Sequence, residues 1–308
     1  MSKPIIVAYD PNTADRAPVN FGVAAARFTG APLIIASVSA RATAHDGPED
    51  DLLADASGVL GEVRRELEQE GISVECRELE NTSAARALHE AADAEDAGLL
   101  VVGSTRRGAV GRVLPGSTAE RLMHGAPCPI AIVPHEWEAG AGLNTIGVAY
   151  VDTKEGREAL RGAHALAGRA GAKLRVLTAV KASVALYGET VAGTDVRPGK
   201  GIVDLEGELR VRAEGALRNA AAALDGDVVV ETDAFVEDPA DVLVRVSEHL
   251  DLLVSGSRGY GPLRAVLLGG VSRRLAAEAQ CPVIVLPRGV EAALEALIAD
   301  APGATAAG

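Results

Sequence analysis

Residues 256–272 read GSRGYGPLRAVLLGGVS and follow the apolar run LDLLVSG. A glycine-rich turn leaving a strand lets backbone N–H groups come close to an anion. Here Gly256 and Gly259 flank the exit, with Ser257 and Arg258 between them, and Gly269, Gly270, Val271 and Ser272 open the helical segment SRRLAAEA. N–H groups at a helix start lack internal partners and carry partial positive charge, so they can take phosphate oxygens without a lysine. The Gly-Lys-Ser/Thr ending of the usual phosphate loop is absent. Ser272 adds a hydroxyl donor, and Arg258, Arg264, Arg273 and Arg274 put positive charge nearby. Asp152, at the end of an earlier apolar run, could accept from a ribose hydroxyl. Together these residues describe a nucleotide site. The plainer reading is a turn punctuated by glycine and a helix capped by serine.

The turn occurs twice. Residues 103–134 align with 256–287 at a constant offset of 153, with 12 of 32 positions identical. Ahead of them, IIVAYD ending at Asp10 recurs as GVAYVD ending at Asp152, and GAPLIIASV from Gly30 recurs as GAKLRVLTAV from Gly171. These earlier offsets are 142 and 141, so the second copy carries roughly a dozen extra residues, placed in SVALYGETVAGTDVRPGKG (183–201). The chain is a tandem duplication.

Periodicity supplies the elements that position these residues. PIIVAY, PLIIASV, SVECREL, GLLVVG and PIAIVP are short β-rich runs, with helical spacing between them at 51–70 and 82–94. Continuous apolar strands alternating with amphipathic helices predict, in each copy, a five-stranded doubly wound α/β domain with a parallel sheet. The expected division is a first domain at 1–137, a linker at 138–143 within HEWEAGAGLN, a second domain at 144–288, and a short helix and tail at 289–308. Ligands of such sheets bind at the carboxyl ends of the strands. That puts Asp10, Val38 and Gly103 in one crevice, and Asp152, Ala179 or Val180, and Gly256 in the other.

Composition narrows the function. A chain of 308 residues fits two domains of about 150 each. Thirty basic against 43 acidic side chains leave a formal charge of −13 and no basic stripe, which argues against a nucleic-acid partner. No 18-residue apolar stretch suggests a membrane, and the apolar run in MSKPIIVAYD is too short for a signal peptide. Cys76, Cys128 and Cys281 are odd in number and far apart, as in a reducing compartment, so the expected location is cytoplasmic.

In the first copy, Ser117-Thr118-Ala119-Glu120 reads as a capping box. Its helix-start donors would already be satisfied, and Glu120 would repel phosphate.

The two glycine turns, with VAYD and VAYVD ahead and CPIAIVP and CPVIVLP behind, resemble the universal stress protein family over nearly the whole chain, in its tandem two-domain form. The family signature is G-x2-G-x9-G-[ST]. The second copy reads Gly256-x2-Gly259-x9-Gly269-Gly270; the first reads Gly103-x2-Arg106-x9-Gly116-Ser117. Each departs at one position. The resemblance implies a Rossmann-like fold similar to the adenine nucleotide alpha hydrolases, with ATP as ligand, carried with Mg2+. By position, Asp10 and Asp152 would contact ribose, and Val38 and Ala179 or Val180 would line the adenine pocket. The glycine turns with Ser117, Thr118 and Ser272 would take phosphates. Arg106 removes the open approach that glycine gives, whereas Gly270 loses only a hydroxyl and keeps its N–H, so the second site ranks above the first. Family members pair through their last strands. The resemblance therefore implies an internal pseudo-dimer, in which CPIAIVP meets CPVIVLP, and leaves a homodimer of chains open.

Cys128 and Cys281 hold equivalent places and could form a reactive pair, although such cysteines are usually small core residues. The six histidines show no metal spacing, and no G-x-S-x-G elbow or paired Cys/His signature is present. No general base or nucleophile stands out, so catalysis is expected to extend at most to slow ATP hydrolysis. The alternative is a scaffold whose nucleotide sites have degenerated.

Overall fold

The computed structural model describes residues 2–13, 15–39, 49–104, 118–123, 125–181, 202–256, 270–287, 289 and 293–299. The first half runs β1 (Ile5–Ala8), α1 (Ala17–Thr29), β2 (Leu33–Ser39), α2 (Glu49–Gln69), β3 (Val74–Glu80), α3 (Ala84–Ala94), β4 (Leu99–Gly103), α4 (Thr118–Met123) and β5 (Ile130–Val133). The second half repeats it as β6 (Thr145–Ala149), α5 (Lys154–Ala170), β7 (Lys173–Ala179), α6 (Ile202–Ala222), β8 (Val230–Phe235), α7 (Pro239–Ser247), β9 (Leu252–Gly256), α8 (Gly270–Glu278) and β10 (Val283–Leu286). A final helix, α9 (Ala293–Ala299), follows.

All ten strands form one sheet in the order β3-β2-β1-β4-β5-β10-β9-β6-β7-β8. Pairing is parallel within each half and antiparallel between β5 and β10, where Val283 faces Ile132 and Val285 faces Ile130. The last strands therefore meet as the family resemblance implied. The middle strands, such as IIVA and IAIV, are apolar along their length because helices cover both faces. The outer strands β3 (VECRELE) and β8 (VETDAF) carry charges instead, which blunts the sheet edges.

The duplication shows in local detail. Helices α1 and α5 end at Gly30 (φ 71°) and Gly171 (φ 65°), left-handed caps that glycine adopts without a Cβ penalty. Apolar side chains from both halves merge into one layer on each side of the sheet, with Val7 and Val148 on one side and Ile132 and Val283 on the other. Beyond β5, the joining segment docks through Trp137, whose ring meets Phe21 of α1 edge-on at 5.6 Å. Leu294 and Leu297 of α9 are buried, and α9 packs on α5. Between Ser39 and Glu49 the chain is short, whereas between Ala179 and Ile202 it is long. The extra residues are thus confined to that connection; 183–201 itself lies outside the described residues.

Candidate functional site

In each half the strand order reverses between the first and fourth strands, β1 and β4 or β6 and β9. A crevice opens there at the carboxyl ends. In the second half it is a cleft of about 650 Å³, counting its open mouth. Its floor is Ala149 at the end of β6 with Tyr150 after it, Leu177 and Ala179 of β7, and Ser255 and Gly256 of β9. Thr153 and the first-turn residues Glu155 and Gly156 of α5 form one wall, and Pro239, Leu243, Val271 and Ser272 form the other.

Several expected residues are brought together here. Gly256 ends β9 against the start of α5, and a Cβ on it would come 2.9 Å from the Glu155 carbonyl oxygen, so only glycine fits without displacement. Gly270 is the exposed first residue of α8, Val271 follows it, and Ser272 is buried in the first turn, on the cleft wall. Ser257, Arg258, Gly259, Arg264 and Gly269 lie outside the described residues.

Hydrogen bonds resolve the register that the sequence leaves open. Tyr9 N–H donates to the Ala36 carbonyl (2.9 Å) and Tyr150 N–H to the Leu177 carbonyl (2.8 Å). Counting two residues on makes Ala179, not Val180, the counterpart of Val38. Val180 instead bonds its N–H to Phe235 and packs toward Leu205 and Leu209, away from the cleft lining.

Asp152 stands at the rim, between the lining residues Val151 and Thr153. Its Oδ1 accepts from the Arg157 guanidinium and from the Tyr150 hydroxyl at 3.3 Å. Burial, and then the neighbouring carboxylate, push the Tyr150 hydroxyl pKa up, so it remains a donor. Thr153 caps α5 through the Gly156 N–H at 3.1 Å.

In the first half, Asp10 closes an Asx turn, accepting from the Asn12 N–H (3.0 Å) and the Asn12 side-chain amide (3.1 Å). Val38 is half-buried near the end of β2, and Gly103 ends β4 against Pro18. Arg106, Gly116 and Ser117 lie outside the described residues; Thr118 opens α4.

Arg274 is placed differently from expectation, and the two equivalent cysteines follow the plainer reading as core residues. Arg274 is held by Asp241 of α7 (2.6 Å) and Glu278 (3.3 Å), so its charge ties α8 to α7. Cys128 and Cys281 precede strands that run antiparallel, which sends them to opposite ends of the pair. Both are buried, and burial pushes each thiol up to about 12, as for inert core residues. Sequence reasoning missed Glu155, Pro239 and Leu243. Only the Asp-Pro helix start at 238–239 hinted at them, and Asp238 caps that helix, donated to by Ala240 N–H at 3.0 Å. Lys181 beside Asp238 holds its carboxyl below the usual range. Among the described residues no helix is long and apolar enough to cross a membrane.

Known proteins share this architecture. Two solved structures cover nearly the whole chain: a putative universal stress protein of Pseudomonas aeruginosa (TM-score 0.65, 18% identity, 97% of each chain) and a universal stress protein of Archaeoglobus fulgidus (TM-score 0.64, 19%, 94% of this chain and 97% of that one). At that identity they show the fold alone. A universal stress protein of Mycobacterium tuberculosis is 26% identical over 92% of this chain and 99% of its own length. One of Mycolicibacterium smegmatis is 33% identical over 71% of this chain and 70% of its own. The universal stress protein family profile matches twice, at residues 1–134 and 142–287, and the chain therefore belongs to that family as two tandem copies of its domain.

Proposed function

We propose that the chain is a stress-response protein of the cytoplasm that binds an adenine nucleotide, ATP in the first instance, with the second half as its better site. The domains would be 1–137 and 144–288. The observation that carries this reading is the cleft where Ala179, Gly256 and Ser272 converge on the start of α8. Leu177 and Ala179 offer an apolar surface for a base. Gly256 lets the chain approach closely, and the N–H groups of Gly270 and Val271 with the Ser272 hydroxyl would donate to a phosphate at the start of α8. Among the described residues no three His, Cys, Asp or Glu side chains group as a metal site. In this reading Mg2+ would arrive on the phosphates, as it commonly does. The reading is one of binding, with catalysis extending at most to slow ATP hydrolysis. The test is thermal denaturation with and without Mg-ATP: ATP raises the melting temperature of the natural protein, and Gly259→Arg removes the rise. No rise in the natural protein overturns the reading.

Glu155 favours a second reading, because it brings an acidic residue to the same wall. With Arg106 and Gly270 departing from the family signature, a scaffold that binds no nucleotide is the alternative. An unchanged melting temperature in millimolar ATP, together with retained partner binding, would establish it.

A further inference from the structure

The two halves provide an internal comparison around the rim aspartates. VAYD in the first copy becomes VAYVD in the second, so Val151 is an extra residue between Tyr150 and Asp152. In the first half Asp10 follows the strand directly and is fixed by its own turn, through both donors of Asn12. In the second half the residue two past Asp152 is Lys154, already the first of α5, and Thr153 is committed to capping that helix. No such turn holds Asp152. Its Oδ1 is held instead by Arg157 and the Tyr150 hydroxyl.

The arginine has a counterpart. Counting back from the helix caps Gly30 and Gly171, Arg16 and Arg157 occupy the same place. Arg16 lies over the Tyr9 ring at 5.9 Å and pairs with Glu66 of α2. In the second half the equivalent arginine pairs with Asp152 instead. Tyr150 is buried, as is Tyr9, and points its hydroxyl at the same oxygen.

We propose that Arg157, with Tyr150, is a positioning residue that sets the Asp152 carboxylate for a ribose. Two donors on Oδ1 fix the rotation of the carboxylate and turn Oδ2 outward to accept from a ribose hydroxyl. This rests on the nucleotide reading of the same cleft. Because Arg157 and Asp152 are both more than half exposed, the effect on affinity is modest, a few-fold.

The test compares binding of ATP and of its 2′,3′-dideoxy analogue by calorimetry, with Mg2+, in the full chain. In the natural protein the dideoxy analogue binds about tenfold more weakly, the order expected for one or two hydrogen bonds to a charged group. Arg157→Ala lowers ATP affinity a few-fold and shrinks that ratio toward one, Tyr150→Phe shrinks it in part, and Arg157→Lys restores most of it. A ratio unchanged in Arg157→Ala overturns the proposal even if ATP affinity falls, since lost charge alone weakens both ligands equally. Tighter ATP binding by Arg157→Ala also overturns it, because Arg157 would then be competing with the ribose. Absence of binding to every variant and to the natural protein would sink the nucleotide reading itself, and this inference with it.

Discussion

Ile284 of β10 lies opposite Ala131 of β5, and theirs is the antiparallel pair at the centre of a sheet whose other pairings are parallel. From that pair each half runs outward in the same strand order. The carboxyl ends of the two halves consequently point to opposite edges of the sheet, and the two crevices cannot share one ligand. The chain holds two separate candidate sites, free to diverge, as Arg106 and Gly270 already show.

The seam couples the halves energetically. Ile132 is 2% exposed and faces Val283 across it. Ile132→Ala should cost about 2–5 kcal/mol of stability by urea titration. Because each apolar layer draws on both halves, unfolding should remain a single transition. Two transitions, only one of them shifted, would show that the seam transmits nothing.

Gly256 and Gly270 should respond oppositely to alanine. A Cβ at Gly256 meets backbone at 2.9 Å, while at Gly270 nothing lies within 4 Å. Gly256→Ala should lose about 1–3 kcal/mol and weaken ATP binding through a displaced α5 start. Gly270→Ala, in the first turn of a helix, should leave the melting temperature within about a degree or raise it slightly. Equal melting of the two variants would contradict the packing.

The buried thiols predict an alkaline limb in stability. Their folded pKa values, about 12, stand above the ordinary value of 9.0. A raised folded pKa contributes stability that is present below the unfolded value and lost as pH climbs toward the folded one. Stability should therefore fall between about pH 9 and pH 12, with a shallower slope in Cys128→Ala and Cys281→Ala. Alkylation of both thiols should be slow at neutral pH; rapid labelling would contradict their burial.

Asp238 works at the other end of the scale. Its folded pKa is depressed, first by the hydrogen bond from Lys181 at 3.0 Å and then by the helix-start N–H groups. Its contribution is present above the unfolded value and lost as pH falls through the folded one. Asp238→Ala should cost about 0.5–2 kcal/mol at pH 7 and cost progressively less below about pH 4. A penalty independent of pH would mean that the charge contributes nothing to the cap.

Much of this was legible in advance because it depends on local pattern. IIVAYD, LLVVG and PIAIVP announced buried strands by continuous apolar runs, the constant 153 offset announced the duplication, and the family resemblance implied the pairing of β5 with β10. The places of Gly256 and Ser272 on the candidate cleft were legible for the same reason, since each sits a fixed count from a strand or helix end, while the choice between Ala179 and Val180 needed the sheet register. What escaped depends on side chains reaching between elements. Nothing in SRRLAAEA says that Arg274 will turn to Asp241, 33 residues earlier, or that Trp137 will find Phe21. Arg157 escaped because no local pattern tells that it pairs with Asp152 when its counterpart Arg16 pairs with Glu66.

The most direct measurement is calorimetric titration of Mg-ATP into nucleotide-free protein, on the natural chain and on the matched variants Ala179→Glu and Val38→Glu. Freshly purified protein is heat-denatured in parallel, and the supernatant chromatographed for released nucleotide. The account predicts about one equivalent of ATP per chain, lost in Ala179→Glu and kept in Val38→Glu. Two equivalents, or loss only in Val38→Glu, would contradict the ranking of the sites; no bound or released nucleotide would contradict the central claim.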